Sequence, residues 1–153
     1  MFVLPLFGDR KPVAFAQMPF SEGGGQFSPN GRWIVYRTFE TGRAEVYVAS
    51  FPTPGRKWQV STVGGDFPRW RRHEIFYMTP DNKLMAAAVS TEGGRVEVGT
   101  VRPLFDMRRG FRGGRYFYDV SSDGQRFLLN AVEEQASMGP LTLVVNWPAA
   151  LRN

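Results

Sequence analysis

Gln26-Phe27-Ser28-Pro29-Asn30-Gly31-Arg32-Trp33-Ile34-Val35-Tyr36 combines a turn with the strand that follows it. Ser28 can open the turn, Pro29 presets the next φ angle, and Gly31 can take the left-handed conformation that reverses the chain. The run from Arg32 to Tyr36 is β-branched and aromatic, which favours a strand. The segment therefore predicts a strand that folds straight back from a tight turn.

Short runs rich in β-branched and aromatic residues recur along the chain, each bounded by Gly, Pro, Asn or Asp. No stretch has apolar residues at helical spacing over three turns with a cap at each end. The 17 Gly and 11 Pro residues interrupt the chain throughout, as is typical of many short strands. We therefore predict an all-β protein. The predicted strands cover 32–36, 44–48, 57–60, 74–77, 126–129 and 141–145.

The turn and strand of the opening stretch occur again near residue 121. Ser121-Ser122-Asp123-Gly124 has the same turn chemistry, and Arg126-Phe127 opens the strand that follows it. A shorter version, without the glycine, runs from Trp70 to Tyr77. Aligning the three segments places unit starts at residues 27, 70 and 120, which are 43 and 50 residues apart. Intervals of about 40 to 50 residues are typical of four-stranded propeller blades.

Seven segments of this kind share a common pattern. They are QFSPNGRWIVY (26–36), EVYV (45–48), FP (51–52), KWQVS (57–61), PRWRR (68–72), YDVS (118–121) and DGQRFL (123–128). Together they resemble the TolB-type, WD40-like β-propeller repeat family, and most of all the C-terminal propeller segments of bacterial serine/threonine kinases. The resemblance covers nearly the whole chain. It implies a propeller without catalytic residues, since the propeller part of such proteins is a scaffold and the sequence contains no kinase motif.

We interpret residues 1–153 as one partial β-propeller segment. Residues 1–20 would form the end of a preceding blade, 21–63 and 64–106 one blade each, and 107–153 an incomplete blade. The expected total is 13 strands, or about three blades. Propellers close with roughly four to eight blades, because an open arc leaves sheet edges and apolar faces unpaired. Either the chain is a piece of a longer protein, or two copies complete one ring as a homodimer.

Composition restricts the classes of site and partner. With no Cys in 153 residues, the chain has no disulfide, thiol nucleophile or Cys-containing metal site. A net charge of +5 permits contact with anionic partners without requiring it. Residues 1–8 are apolar but too short for a signal-peptide core, and the longest apolar run, 84–89, cannot span a bilayer. We expect a soluble protein without membrane insertion, cytoplasmic as the chain is written, or periplasmic if it is a fragment.

Candidate catalytic and metal-binding residues each have a simpler structural explanation. His73 is the only histidine and has no Gly-x-Ser-x-Gly elbow beside it, so we expect it in a turn. The spacing of Asp119 and Asp123 favours turn formation over calcium binding. Gly23-Gly24-Gly25 lacks the Lys-Ser/Thr of a phosphate loop and is interpreted as a flexible linker. Glu133-Glu134 is interpreted as an exposed loop. We predict no enzyme activity, no cofactor and no metal.

Two arginine clusters are the strongest functional feature. Only 3 of the 19 positively charged residues are Lys, and arginine favours forked contacts with carboxylates or phosphates. The charges could be solvated or paired within the chain, the first cluster with Asp66, Glu74 or Asp106. They could also contact an acidic protein partner or, as the least favoured option, nucleic acid. The candidate partner-binding residues are Arg69, Arg71, Arg72, Arg108, Arg109, Arg112 and Arg115.

The functional expectation is a non-catalytic propeller scaffold for protein–protein interaction or sensing. The alternative is a propeller fragment of a larger bacterial enzyme, a protein kinase or a peptidase, whose catalytic domain lies outside this chain. In both cases, the large rings of tryptophan are expected to fill the space between blades. The tryptophans are Trp33, Trp58, Trp70 and Trp147.

Overall fold

The computed structural model describes residues 1–16, 19–53, 55–107 and 118–130. These residues are organised as an all-β protein, as the sequence predicts, and they contain no α-helix. The one helical element among them is a short 3-10 turn, Glu92–Gly94. The β class follows from the many short β-branched and aromatic runs, which suit a pleated and half-buried surface.

Twelve strands lie within the described residues. They are β1 (Phe2–Val3), β2 (Val13–Ala14), β3 (Glu22–Phe27), β4 (Trp33–Thr38), β5 (Glu45–Ser50), β6 (Lys57–Gln59), β7 (Asp66–Arg71), β8 (Glu74–Met78), β9 (Lys83–Ser90), β10 (Glu97–Asp106), β11 (Tyr118–Val120) and β12 (Phe127–Leu129). Five of the six strands predicted from the sequence are found, with ends that differ by at most two residues. The sixth, 141–145, lies outside the described residues.

The strands form two four-stranded sheets flanked by two shorter ones. The first four-stranded sheet has the order β3-β4-β5-β6 and the second has the order β7-β8-β9-β10, and all neighbours are antiparallel. Each is an up-and-down meander in which chain neighbours are also sheet neighbours. Strand β1 pairs with β2, and β11 pairs with β12. None of the four sheets is closed.

The turns before β4 and β12 have the same hydrogen bonds. Ser28 Oγ accepts the amide of Trp33 at 3.0 Å, and Ser121 Oγ accepts the amide of Arg126 at 3.0 Å. In both turns the glycine amide donates to the serine carbonyl at 2.9 Å, and the glycine φ is positive, 68° at Gly31 and 75° at Gly124. The registers match as well, because Phe27 pairs with Ile34 as Val120 pairs with Phe127.

The segment between β7 and β8 is a two-residue turn. Arg71 pairs with Glu74, so only Arg72 and His73 lie between the paired positions. Arg72 takes a φ of 47° in this turn, a conformation that glycine adopts at lower cost. The middle unit therefore lacks the serine-led turn of the other two units, as the alignment of the sequence indicates.

Three apolar layers lie between successive sheets. The layer between the two four-stranded sheets includes Trp33, Val48, Trp70 and Ile75, all at most 5% exposed, with Trp58 packed against it. Phe76 and other side chains on the far face of the second sheet pack against β11 and β12. Phe15, together with Tyr36, Tyr47 and residues near β1, fills the third layer on the far face of the first sheet. Trp33 and Trp70 are buried between the two four-stranded sheets, Trp58 packs against the same layer, and Trp147 lies outside the described residues.

The glycine run at 23–25 is part of a strand, so its interpretation as a flexible linker is wrong. It belongs to β3, whose pairing with β4 is irregular between Gly23 and Gln26. Gly24 has a φ of 65° at this irregularity. A Cβ on Gly23 would lie 3.1 Å from a terminal nitrogen of Arg37, and one on Gly25 would lie 2.6 Å from the sulfur of Met1. The glycines thus allow close approach of neighbouring side chains to β3.

A buried acidic residue joins β5 to the segment between β6 and β7. Glu45 is 0% exposed, and its carboxylate accepts hydrogen bonds from the Ser61 hydroxyl, from the Gly64 amide at 3.0 Å and from Arg43 Nε at 2.6 Å. Ser61 Oγ in turn accepts the amide of Val46 at 2.8 Å. A buried charge is tolerated when its oxygens are hydrogen-bonded in this way.

We expect Glu45→Ala to lower the free energy of unfolding by about 3 kcal/mol, because it leaves the Gly64 amide, the Ser61 hydroxyl and Arg43 without their shared acceptor. Urea unfolding followed by circular dichroism measures the change. The matched control is Glu92→Ala, which removes an equal charge from an exposed position and should change the free energy by less than about 0.5 kcal/mol. Equal effects of the two substitutions would contradict a structural role for Glu45.

Candidate functional site

The structure separates the predicted partner-binding residues into two groups. Arg69 and Arg71 lie on β7, and Arg72 is exposed in the β7–β8 turn. The second cluster lies outside the described residues. It comprises Arg108, Arg109, Arg112 and Arg115. The described candidate site is therefore built around β7.

A cleft of about 1320 Å³ lies where the first strands of three successive sheets, β3, β7 and β11, meet. We call it the strand-edge groove. β3 and β7 are edge strands of their sheets, and β11 pairs only with β12 among the described residues, so each brings one edge to the groove. Its described lining residues are Ser21, Glu22, Gly23, Gly24, Gly25, Gln26, Arg37, Asp66, Phe67, Arg69, Arg71, Tyr118, Asp119, Leu128 and Asn130.

Two arginines of β7 share one carboxylate of β11. Arg71 Nη2 lies 3.0 Å from Asp119 Oδ1, and Arg69 Nε lies 3.5 Å from the same oxygen. The Asp119 side chain is 58% exposed, whereas those of Arg69 and Arg71 are 15% and 21% exposed. Arg71 Nε also donates to the carbonyl of Val120 at 2.9 Å, which ties β7 to β11 by both side-chain and main-chain oxygens.

Side chains form hydrogen bonds with backbone groups along the unpaired edge of β7. The amide of Trp70 donates to Gln26 Oε1 at 2.7 Å, and the carbonyl of Trp70 accepts Arg71 Nη1 at 2.8 Å. Arg69 Nη1 donates to the carbonyl of Pro68 at 2.9 Å, and the Tyr118 hydroxyl donates to the carbonyl of Phe67 at 2.8 Å. These bonds stand in for a strand partner, and they prevent the edge of β7 from pairing with another chain.

The buried ring of Tyr118 packs against the guanidinium group of Arg69. The Tyr118 side chain is 3% exposed, and Arg69 lies over its ring with 5.6 Å between the guanidinium carbon and the ring centroid. Burial raises the pKa of the Tyr118 hydroxyl far above its ordinary value, with Asp119 adding to the shift and the arginines opposing it. The hydroxyl therefore stays protonated and serves as a hydrogen-bond donor.

The remaining charges of the groove have their own partners. Arg37 Nη1 on β4 lies 3.1 Å from Asp66 Oδ2, and the Glu22 carboxylate, 6% exposed, lies 3.6 Å from the terminal ammonium of Met1. Arg37 Nε is buried and has no hydrogen-bond partner among the described residues. Among the described residues of the groove, Asp119 is thus the carboxylate that two guanidinium groups share.

The internal pairing proposed from the sequence named the wrong acidic residues for Arg69 and Arg71. Asp66 pairs with Arg37, and Glu74 pairs with Arg102 at 2.9 Å. Asp66 is separated from Arg69 by an irregularity in which Phe67 has a φ of 53°, so the two side chains of β7 do not meet. The counter-charge comes instead from Asp119 on the next sheet, a residue that the sequence pattern suggests only as a calcium ligand or a turn residue.

Other candidate residues have structural roles in the described chain. His73 is exposed in the β7–β8 turn, and its carbonyl accepts the amide of Val89 at 2.7 Å. Asp123 accepts the Ser121 hydroxyl and the Gln125 amide, which forms the turn before β12 and lowers the pKa of Asp123. Glu133-Glu134 lies outside the described residues. Within the part of the chain that the structure describes, no cluster of three or more His, Asp or Glu is arranged to hold a metal ion.

No protein-family model matches the sequence, and no curated protein matches it either. Among the described residues, no helix has the length and apolar character needed to cross a membrane. The strand-edge groove combines fixed guanidinium donors, one shared carboxylate and exposed backbone at β3.

We expect Tyr118→Phe to lower the free energy of unfolding at neutral pH by about 1 kcal/mol, because it deletes the hydrogen bond to Phe67. The free energy of unfolding of the variant should also depend less on pH in the alkaline range. The pKa of Tyr118 is higher in the folded than in the unfolded chain, so its stabilisation is complete below the unfolded pKa of about 10 and declines as pH rises above it.

Urea unfolding of both proteins at several pH values measures this effect. Above about pH 10, the decline in stability of the unmodified protein should be steeper than that of the variant by up to about 1.4 kcal/mol per pH unit. Tyr36, whose burial raises its pKa to about 12, contributes equally to both proteins. Parallel curves would show that Tyr118 is not held in its protonated form by the fold.

Proposed function

We propose that this chain is a segment of a TolB-type β-propeller that acts as a non-catalytic scaffold for protein binding. The family resemblance of the sequence motivates the propeller architecture. The observation that carries the proposal is the arrangement of successive antiparallel sheets, whose first strands β3, β7 and β11 meet at one groove. In a propeller, first strands line the centre and blades stack face to face around it.

Two further observations support the repeat. The turns at Ser28 and Ser121 have matching hydrogen bonds and register although they lie more than 90 residues apart. The sheets also pack face against face in chain order, with an apolar layer at each junction. Both are expected where one supersecondary unit is repeated and each unit buries its apolar faces on its neighbours.

The groove supports a binding role for the scaffold. It combines charged side chains held by main-chain hydrogen bonds with backbone that is exposed at Gly24 and Gly25. Binding sites of this kind, polar groups placed on a rigid framework at the junction of several elements, orient a ligand without needing to rearrange. The scaffold thus supplies recognition, and any chemistry would belong to what it binds or to what it is attached to.

The scaffold can be tested by selecting its ligands from a displayed library of bacterial proteome fragments. We expect fragments that bind the folded chain with a saturable 1:1 stoichiometry in calorimetry, at a Kd of about 1 μM to 1 mM, as is usual for transient recognition. The heat-unfolded chain is the control for non-specific adhesion. Failure to enrich any fragment over this control would count against a protein-binding role.

Apolar side chains exposed at the two ends of the described sheet stack bear on whether the chain forms a dimer in solution. Phe2 on β1 is 61% exposed and Leu128 on β12 is 75% exposed, so the first and last of the described sheets both present apolar side chains. If two copies close the ring through these sheets, light scattering should give twice 17.3 kDa at both physiological and high salt, because apolar contacts are not screened. A mass of one chain would contradict the two-copy ring.

A further inference from the structure

We infer that the strand-edge groove binds an acidic, extended peptide segment, whose carboxylate groups are held by Arg69 and Arg71. This inference rests on the proposed scaffold function and specifies the chemistry of its ligand. It follows from the charge balance at Asp119, from the N–H groups of the two arginines that have no acceptor among the described residues, and from the exposed backbone of β3.

The charge balance favours an anion. Arg69 and Arg71 together carry two positive charges, and Asp119 supplies one negative charge. Asp66 does not compensate them, since it is engaged by Arg37 at 3.1 Å, and Glu22 lies on β3 and forms no ion pair with either arginine. Among the described residues, the two guanidinium groups therefore share a single carboxylate in a recessed site, where the lower dielectric strengthens attraction for an anion.

The arginines also keep unused donors in fixed positions. A guanidinium has five N–H groups. Among the described residues, Arg71 uses three, for Val120, Trp70 and Asp119, and Arg69 uses one for Pro68 besides its ion pair with Asp119. Since main-chain carbonyls hold both side chains in place, a ligand carboxylate could accept the remaining hydrogens without ordering a mobile side chain.

The groove fits a peptide better than a nucleic acid. Single-stranded nucleic acids are held by stacking of bases on exposed aromatic rings, whereas the ring of Tyr118 is 3% exposed and is covered by Arg69. On the opposite wall, Gly24 and Gly25 of β3 are exposed and have no side chains of their own. An extended peptide can hydrogen-bond to such an edge while its acidic side chains reach β7.

The experiment measures fluorescence anisotropy of a labelled peptide of four Gly-Glu repeats, with the Gly-Gln peptide as the neutral probe. We expect the acidic peptide to bind more tightly than the neutral one, and salt to weaken it. Arg69→Gln with Arg71→Gln should weaken binding by about tenfold or more, the effect of losing charge-assisted hydrogen bonds. The matched control, Arg95→Gln with Arg126→Gln, removes two exposed charges elsewhere and should change binding by less than about twofold.

Asp119→Asn provides a test in the opposite direction. It keeps an oxygen for Arg71 and the Val120 amide but removes the competing negative charge, so we expect about threefold tighter binding of the acidic peptide. Circular dichroism and melting curves establish that each variant is folded. If the double arginine variant does not fold, the Asp119→Asn result alone decides the inference.

Three results would overturn the inference. They are equal affinity for the acidic and neutral peptides, unchanged or weaker binding by folded Asp119→Asn, and tighter binding of a single-stranded oligonucleotide of the same length than of the acidic peptide. Failure here can be distinguished from failure of the scaffold proposal. If displayed fragments bind the chain but are not acidic and do not respond to the Arg69 and Arg71 substitutions, the scaffold stands and its ligand lies elsewhere.

Discussion

Trp33 of the first four-stranded sheet and Trp70 of the second are buried in one apolar layer, and the position of every other element depends on this packing of sheet on sheet. Burying large side chains on both facing surfaces supplies the main driving force, at roughly 25 cal/mol for each Å² of apolar area. Once the two sheets are face to face, β3 and β7 lie side by side. The same arrangement recurs at the far face of the second sheet, where Phe76 packs against Phe127 with 5.3 Å between ring centroids.

Strand edges that lie side by side without pairing leave backbone N–H and C=O groups without strand partners. Side chains form hydrogen bonds to these groups instead. Gln26, Arg69, Arg71 and Tyr118 supply hydrogen bonds that a neighbouring strand would otherwise make. This arrangement has a consequence for recognition, since it fixes two guanidinium groups at the wall of the groove. Structural capping of an edge and preorganisation of a binding surface are therefore two results of the same contacts.

Buried polar residues complete the framework away from the groove. Glu45 and Ser61 are fully buried. Ser61 accepts the amide of Val46 on β5, and Glu45 accepts the amide of Gly64 in the segment that leads from one sheet to the next. Such a network has to be satisfied in full, because a buried carboxylate without partners would cost more than it contributes. It favours one path for the connection, and hence one placement of β7 relative to β5.

The all-β class, the approximate strands and the serine-led turns can be predicted from the sequence alone, because they depend on residues close together in the chain. Each turn, at Ser28 and at Ser121, is encoded within six residues, and in both the serine hydroxyl accepts a backbone amide five residues on. The strand at Gly23 to Gly25 and the role of Asp119 as the counter-charge of Arg69 and Arg71 follow only from the packing of the sheets. Arg71 and Asp119, which form this contact, are 48 positions apart in the sequence. Local patterns do not encode such a pairing, since it exists only when two separate sheets have packed and brought their edges together.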